Sequence, residues 1–209
     1  MSVKVFQIGF SKCGTRSLHE LFSGSGYKSV HWTIPNKSEK LASKIHLNYS
    51  NNKYILDGLE EFTFFTDMKR ITRSEVIYSY TYYKEIYNQV KNAKFIFNTR
   101  PVHDWIMSVI NWTDMFERYS DAYNTGIMGV IKRLNEHYTS HTKQVNKFFK
   151  DKPDRIITFD ISKDRISKVI EFLSDFKLNK NIWGESHKTS NRTVKFTHRF
   201  RHLEKTIGY

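Results

Sequence analysis

Apolar positions in this 209-residue chain fall into short runs with strand character, separated by stretches in which they recur every three or four residues. Val3, Val5, Phe6 and Ile8 form the first run. It meets Gly9, then the polar loop Ser11, Lys12, Cys13, Gly14, Thr15, Arg16, Ser17, and then a periodic segment carrying Leu18, Leu21 and Phe22. Residues 3–22 therefore predict strand, loop and helix. Gly24 and Gly26 supply a break, and residues 27–32 read as a second short strand ended by Pro35. The pattern predicts an irregular helix over 36–47, a loop over 48–53, and a helix turn followed by a Phe-rich strand over 55–68. Residues 73–90 have the spacing of a helix lying on a sheet face.

A second strand-corner-helix unit follows. Residues 94–99 make a compact β run closed by Arg100-Pro101, and Asp104 opens a helix containing Trp105, Ile106, Val109 and Trp112. A long helix is predicted within 127–149, a strand over 155–159 and an amphipathic helix over 166–176; the tail from Lys177 is basic and aromatic without a firm period. Strands alternating with helices predict an α/β fold with a parallel sheet covered on both faces. Ligands of such sheets sit at the carboxyl ends of the strands. Two corners there carry unusual polar chemistry, 11–17 and 100–108.

Composition narrows the choice of partner. The net charge of +13, from 34 Lys+Arg against 21 Asp+Glu, favours an anionic ligand or surface. The basic residues are scattered, and no helix-turn-helix, zinc-finger spacing or RNA-binding aromatic motif accompanies them, so a specific nucleic-acid partner is not expected. One cysteine excludes an internal disulfide. No linker, repeat, signal peptide or long apolar run divides or anchors the chain, so the expectation is a single soluble, cytoplasmic domain over 1–209, with a core over 1–176 and a basic segment over 177–209.

The 11–17 loop places small residues, two cations and three hydroxyls at a helix N-terminus, where unpaired amides and the positive dipole end favour a phosphate-like anion. A nucleotide-hydrolase or kinase loop needs G-x-x-x-x-G-K-[ST]. Gly9 and Gly14 have that separation, but Thr15 stands where the lysine belongs and Lys12 lies inside the loop.

Ser11-Lys12-Cys13-Gly14-Thr15-Arg16-Ser17-Leu18 instead resembles the loop of the sulfotransferases that use 3′-phosphoadenosine 5′-phosphosulfate. Residues 93–109 (AKFIFNTRPVHDWIMSV) are similar to that family's second corner, with Arg100 and Ser108 eight positions apart. Pro101 directly after Arg100, and Asn98 and His103, depart from the usual pattern. A weaker likeness extends through Tyr138, His141, RIITFDIS and VIEFLSDF. The resemblance implies a P-loop-like α/β domain, the phosphosulfate as donor with adenosine 3′,5′-bisphosphate as product, and no metal. It implies that Lys12 contacts the 5′-phosphosulfate and that the amides of Gly14, Thr15 and Arg16, with the Thr15 and Ser17 hydroxyls, hold the 5′-phosphate. Ser11 and Cys13 complete that loop. It further implies that Arg100 and Ser108 grip the 3′-phosphate, joined by Lys188 and Arg192 from the tail.

Transfer to a hydroxyl needs a proton acceptor. Asp67 is the first candidate, because residues 62–68 (FTFFTDM) are similar to a family segment with an Asp after a short strand; His31, after the second strand, is the next. Asp57, Glu60 and Glu61 remain open. Each candidate has a plainer role: Lys12 and Arg16 as solvated charges, Arg100 paired to a surface acid, Cys13 as a small loop residue, His31 as a hydrogen-bonded histidine, Asp67 as a helix cap or a partner of Lys69 or Arg70. Three functions are thus compared: sulfuryl transfer to a hydroxyl or amine acceptor such as an acidic glycan or peptide, a nucleotide or nucleoside kinase with a degenerate loop, and a non-catalytic polyanion-binding protein. Loops over 34–57 and 112–128 are expected to set the acceptor.

Overall fold

The computed structural model describes residues 3–184. Lys188 and Arg192 lie outside the described residues. The first unit is strand β1 (Lys4–Gln7), the loop, and helix α1 (Thr15–Gly24); β2 (Ser29–His31), α2 (Leu41–Ser50) and β3 (Phe64–Thr66) follow. A hairpin of β4 (Lys69–Ile71) and β5 (Val76–Tyr78) leads through a short 3-10 turn into α3 (Tyr83–Gln89). Then come β6 (Ala93–Thr99), α4 (Val102–Ile110), α5 (Met115–Tyr123), α6 (Ile127–Phe149), β7 (Ile156–Asp160) and α7 (Ser167–Phe172).

Five strands pair in the order β2-β3-β1-β6-β7, and all the pairings are parallel. Alternation along each strand splits the core into two layers. Phe6, Phe65, Phe95 and Phe97 face the layer shared with α2, α3, α4 and α6, while Val5, Phe64, Ile96 and Phe159 face α1 and α7. Both faces are covered, and β6 is accordingly buried along almost its whole length. On α1, Leu18, Leu21 and Phe22 recur at helical spacing and are fully buried, so that one stripe fixes the helix over the sheet. Phe22 stacks on Phe64 with centroids 4.0 Å apart. Among the described residues no helix is long and apolar enough to cross a membrane.

The α/β architecture is as expected, with differences in extent. Only 83–89 of the segment 73–90 forms an α-helix. The run Val76, Ile77, Tyr78 is β-branched and aromatic, and the Thr72 hydroxyl accepts from the amides of Ser74 and Glu75 to close a hairpin turn before it. Helix α2 runs on to Ser50 because Asn48, expected in a loop, is buried and donates to the carbonyls of Ile55 and Asp57. Segment 112–128 holds α5, a helix with a single buried anchor, Tyr119. Helix α7 stops at Phe172, short of the expected 176, and the chain turns there with Phe176 N–H donating to Leu173 O.

Candidate functional site

The loop after β1 lies at the carboxyl edge of the sheet, between the ends of β3 and β6. Its shape is set by buried polar residues in strands that otherwise read as apolar. Asn98, inside β6, donates from Nδ2 to the carbonyls of Phe10 (3.1 Å) and Cys13 (2.6 Å), and its Oδ1 accepts from Gln7 Nε2. Gln7 Oε1 in turn accepts the Asp67 amide at 3.0 Å. Thus one chain of amide side chains ties the loop, β6 and the end of β3 together. Asn98, a departure from the family pattern, is the residue that organises the loop. Gly9 crosses β6 so closely that an added Cβ would lie 2.0 Å from Asn98 O.

Helix α6 braces the edge from one face. His141 Nε2–H donates to Ile8 O at 2.8 Å, and Tyr138 donates to Arg100 O at 2.7 Å while stacking on Phe10 at 4.3 Å. Trp105 on α4 donates from its indole to Ser11 O at 2.9 Å.

Three residues at this edge adopt left-handed backbone: Lys12 (φ 65°), Trp32 (φ 58°) and Asp67 (φ 51°). They follow β1, β2 and β3 respectively, so each of these three strand ends carries an uncommon backbone turn. Gly14 (φ 77°) caps α1, with neither a side-chain cap nor an acid in the first turn. The first intrahelical bond from this end is Leu18 N to Gly14 O, which leaves the amides of Thr15, Arg16 and Ser17 pointing out of the helix end as an anion nest.

Around that nest stand three cations. The Lys12 ammonium lies 3.4 Å over the Trp112 ring. Its pKa is lowered to about 8, chiefly by burial, with Lys69 and Arg100 contributing against the pull of Asp67. Arg100 Nη1 donates to Lys12 O at 3.2 Å, which brings the two expected corners into contact. Its buried Nε has no hydrogen-bond partner among the described residues. Lys69, the third, donates to Ser11 Oγ at 2.5 Å.

The other expected residues fall as follows. Thr15 and Ser17 are buried in the first turn of α1, and Ser108 is half-buried on α4 one turn beyond Trp105. The Arg16 side chain points outward and pairs with Glu20 at 3.1 Å, so only its amide faces the nest. Cys13 turns its thiol into the core, where burial raises its pKa; its carbonyl serves the loop. Asp67 and His31 come together, with Oδ2 4.0 Å from Nε2, and the buried Asp67 Oδ1 and His31 Nδ1 have no hydrogen-bond partner among the described residues. Burial lowers the His31 pKa against the opposing pull of Asp67, so the imidazole is neutral at pH 7. Asp67 pairs with neither basic neighbour in sequence, since Lys69 bonds Ser11 and Arg70 pairs with Glu75 at 3.0 Å. Glu60 and Glu61 precede β3, at the opposite edge of the sheet, and Glu61 pairs with Lys28. Asp57 lies between Lys44 and Lys53.

The residues that sequence reasoning passed over are Gln7, Lys69, Trp105 and Trp112. Gln7 carries a readable signal, a polar residue inside an apolar strand. Lys69 sits in a run of charges with none.

A parallel α/β sheet with an amide nest and cations at the carboxyl end of its first strand is a scaffold suited to an anionic ligand. The family profile described as sulfotransferase domain matches residues 4–171, more than half of the chain. The protein belongs to that sulfotransferase family, and its chemistry is sulfuryl transfer. No curated protein matches the sequence.

Proposed function

We propose that the protein transfers the sulfuryl group of 3′-phosphoadenosine 5′-phosphosulfate to a hydroxyl or amine acceptor. The observation that carries this reading is the contact between the two corners, Arg100 Nη1 on Lys12 O, with Arg100 Nε still unpartnered. An uncapped helix end and three cations, of which Lys12 and Lys69 both feel the acid Asp67, fit a ligand with two separate anionic groups. The donor supplies an activated sulfuryl group when bound.

The chain's own residues then divide the work. The Thr15, Arg16 and Ser17 amides with the Thr15 and Ser17 hydroxyls hold the 5′ end, and Arg100 with Ser108 holds the 3′-phosphate. Lys12 keeps a positive charge where negative charge builds on the leaving group. Asp67 takes the acceptor's proton on its carboxylate, and neutral His31 orients the acceptor beside it. Thr15, in the place of the lysine that a triphosphate loop requires, disfavours a kinase. The basic balance of the chain favours an acidic glycan or peptide as acceptor.

Calorimetry tests the reading. Adenosine 3′,5′-bisphosphate should bind without metal, and Arg100→Ala should weaken it about 10- to 100-fold, the scale of a lost charge-assisted contact. Binding of ATP with magnesium and not of the bisphosphate would establish the kinase reading in its place. A polyanion binder would hold heparin-like chains and neither nucleotide.

A further inference from the structure

Lys69 is 8% exposed, on a strand of the small hairpin beside the main sheet, yet its ammonium reaches the anion loop. An ammonium only donates, so in the 2.5 Å contact Ser11 Oγ is the acceptor and the Ser11 proton is turned toward some other group. The Ser11 carbonyl is already engaged by the Trp105 indole. Ser11 is therefore held at both ends, with one hydroxyl proton left to give.

The charges around Lys69 do not explain its burial as a structural ion pair. Asp67 is the acid that acts on it, and it is shared with Lys12 and His31. His137, on the side of α6, is held neutral, its pKa lowered to about 3 by burial, with His141 and Lys69 adding to the effect. A buried cation close to a second cation is costly unless a further anion completes the cluster.

We propose that Lys69 is a positioning residue for the donor: its hydrogen bond fixes and polarises the Ser11 hydroxyl so that Ser11 donates to an anionic oxygen of the bound phosphosulfate. This rests on the sulfotransferase reading of the same site. The assignment adds one buried charge and one aimed O–H to the loop, supplied from outside the main sheet.

Calorimetry with adenosine 3′,5′-bisphosphate and thermal melting, on wild type, Lys69→Met, Ser11→Ala and the double variant, decides it. Lys69→Met replaces a buried ammonium by a side chain of similar volume, and should fold with a melting temperature at or above that of wild type. It should bind the bisphosphate at least tenfold more weakly. Ser11→Ala should weaken it to a similar degree, and the double variant no further than the weaker single one, because both act through one hydroxyl. Unchanged affinity in Lys69→Met, or additive losses in the double variant, overturns the proposal. Should Lys69→Met not fold, Ser11→Ala carries the test, and unchanged affinity in it overturns the proposal equally. Failure of the donor reading shows instead in wild type, as no bisphosphate binding at all.

Discussion

Asp67 and His31 face one another across the ends of β3 and β2, and each has a second buried polar atom without a protein partner. Read singly along the chain they compete for one role; with the two 4.0 Å apart, the proposed function divides it between them. Asp67→Asn should lower turnover about 100-fold or more with donor affinity kept, the usual scale for a lost proton acceptor. His31→Gln should cost less and act mainly on the acceptor KM. Steady-state kinetics on both variants checks this, and the reverse order of losses would exchange the two assignments.

The Lys12 ammonium, with a pKa of about 8, gives donor binding a pH dependence. An anion favours the charged form, so binding raises the pKa and takes up a proton. Affinity for adenosine 3′,5′-bisphosphate should be full below about pH 8 and fall as pH rises through that value, by up to about tenfold per unit until the pKa of the complex is reached. Calorimetry at pH 7 and pH 9, in buffers of different ionisation heat, measures both the fall and the proton uptake. In Trp112→Ala the ammonium gains water, and the fall should move to higher pH.

Gly9→Ala probes the crossing of β1 and β6. The new methyl would meet the Asn98 backbone O and N as well as the hydrogen-bonded Oδ1 of the same residue, so the strands must part. A loss of about 1–3 kcal/mol, or more, is expected from urea unfolding. An unchanged midpoint would show that the crossing can open without cost.

Several histidines are held neutral in the fold. Burial lowers the pKa of His141 and of His19 to about 4, and that of His137 to about 3. The unfolded chain binds protons near pH 6.5, where these groups do not, so stability is fully present above that pH and is lost as pH falls below it. Melting temperature followed from pH 7.5 to pH 4.5 should decline, and His141→Gln, which can still donate to Ile8 O, should decline less steeply.

Much of this could be read along the chain because its cause is local. The runs around Val5, Phe95 and Ile157 alternate or stay apolar as their covered faces require, and the glycine-bearing loop before α1 declares an anion site in consecutive residues. The remainder depends on pairs far apart in sequence. Lys69 meets Ser11 across 58 positions, and Asn98 meets Cys13 across 85, so neither contact leaves a local period. In DMKRITR, Lys69 looks like one of several solvated charges. The β4–β5 hairpin was hidden because Tyr78 and the tyrosines that follow it also satisfy helical spacing, and the turn at Thr72 decides between the two.

Lys12, Trp32 and Asp67 share left-handed backbone at three successive strand ends, a conformation that glycine takes freely and these residues do not. Each side chain is thus aimed by a turn of the main chain that would be easier without it. Selection for heat resistance alone should therefore favour glycine at all three places and, at Lys12 and Asp67, remove a side chain of the proposed reaction as it does so. Their retention in an active, thermally improved variant would have to be enforced by selecting on turnover at the same time.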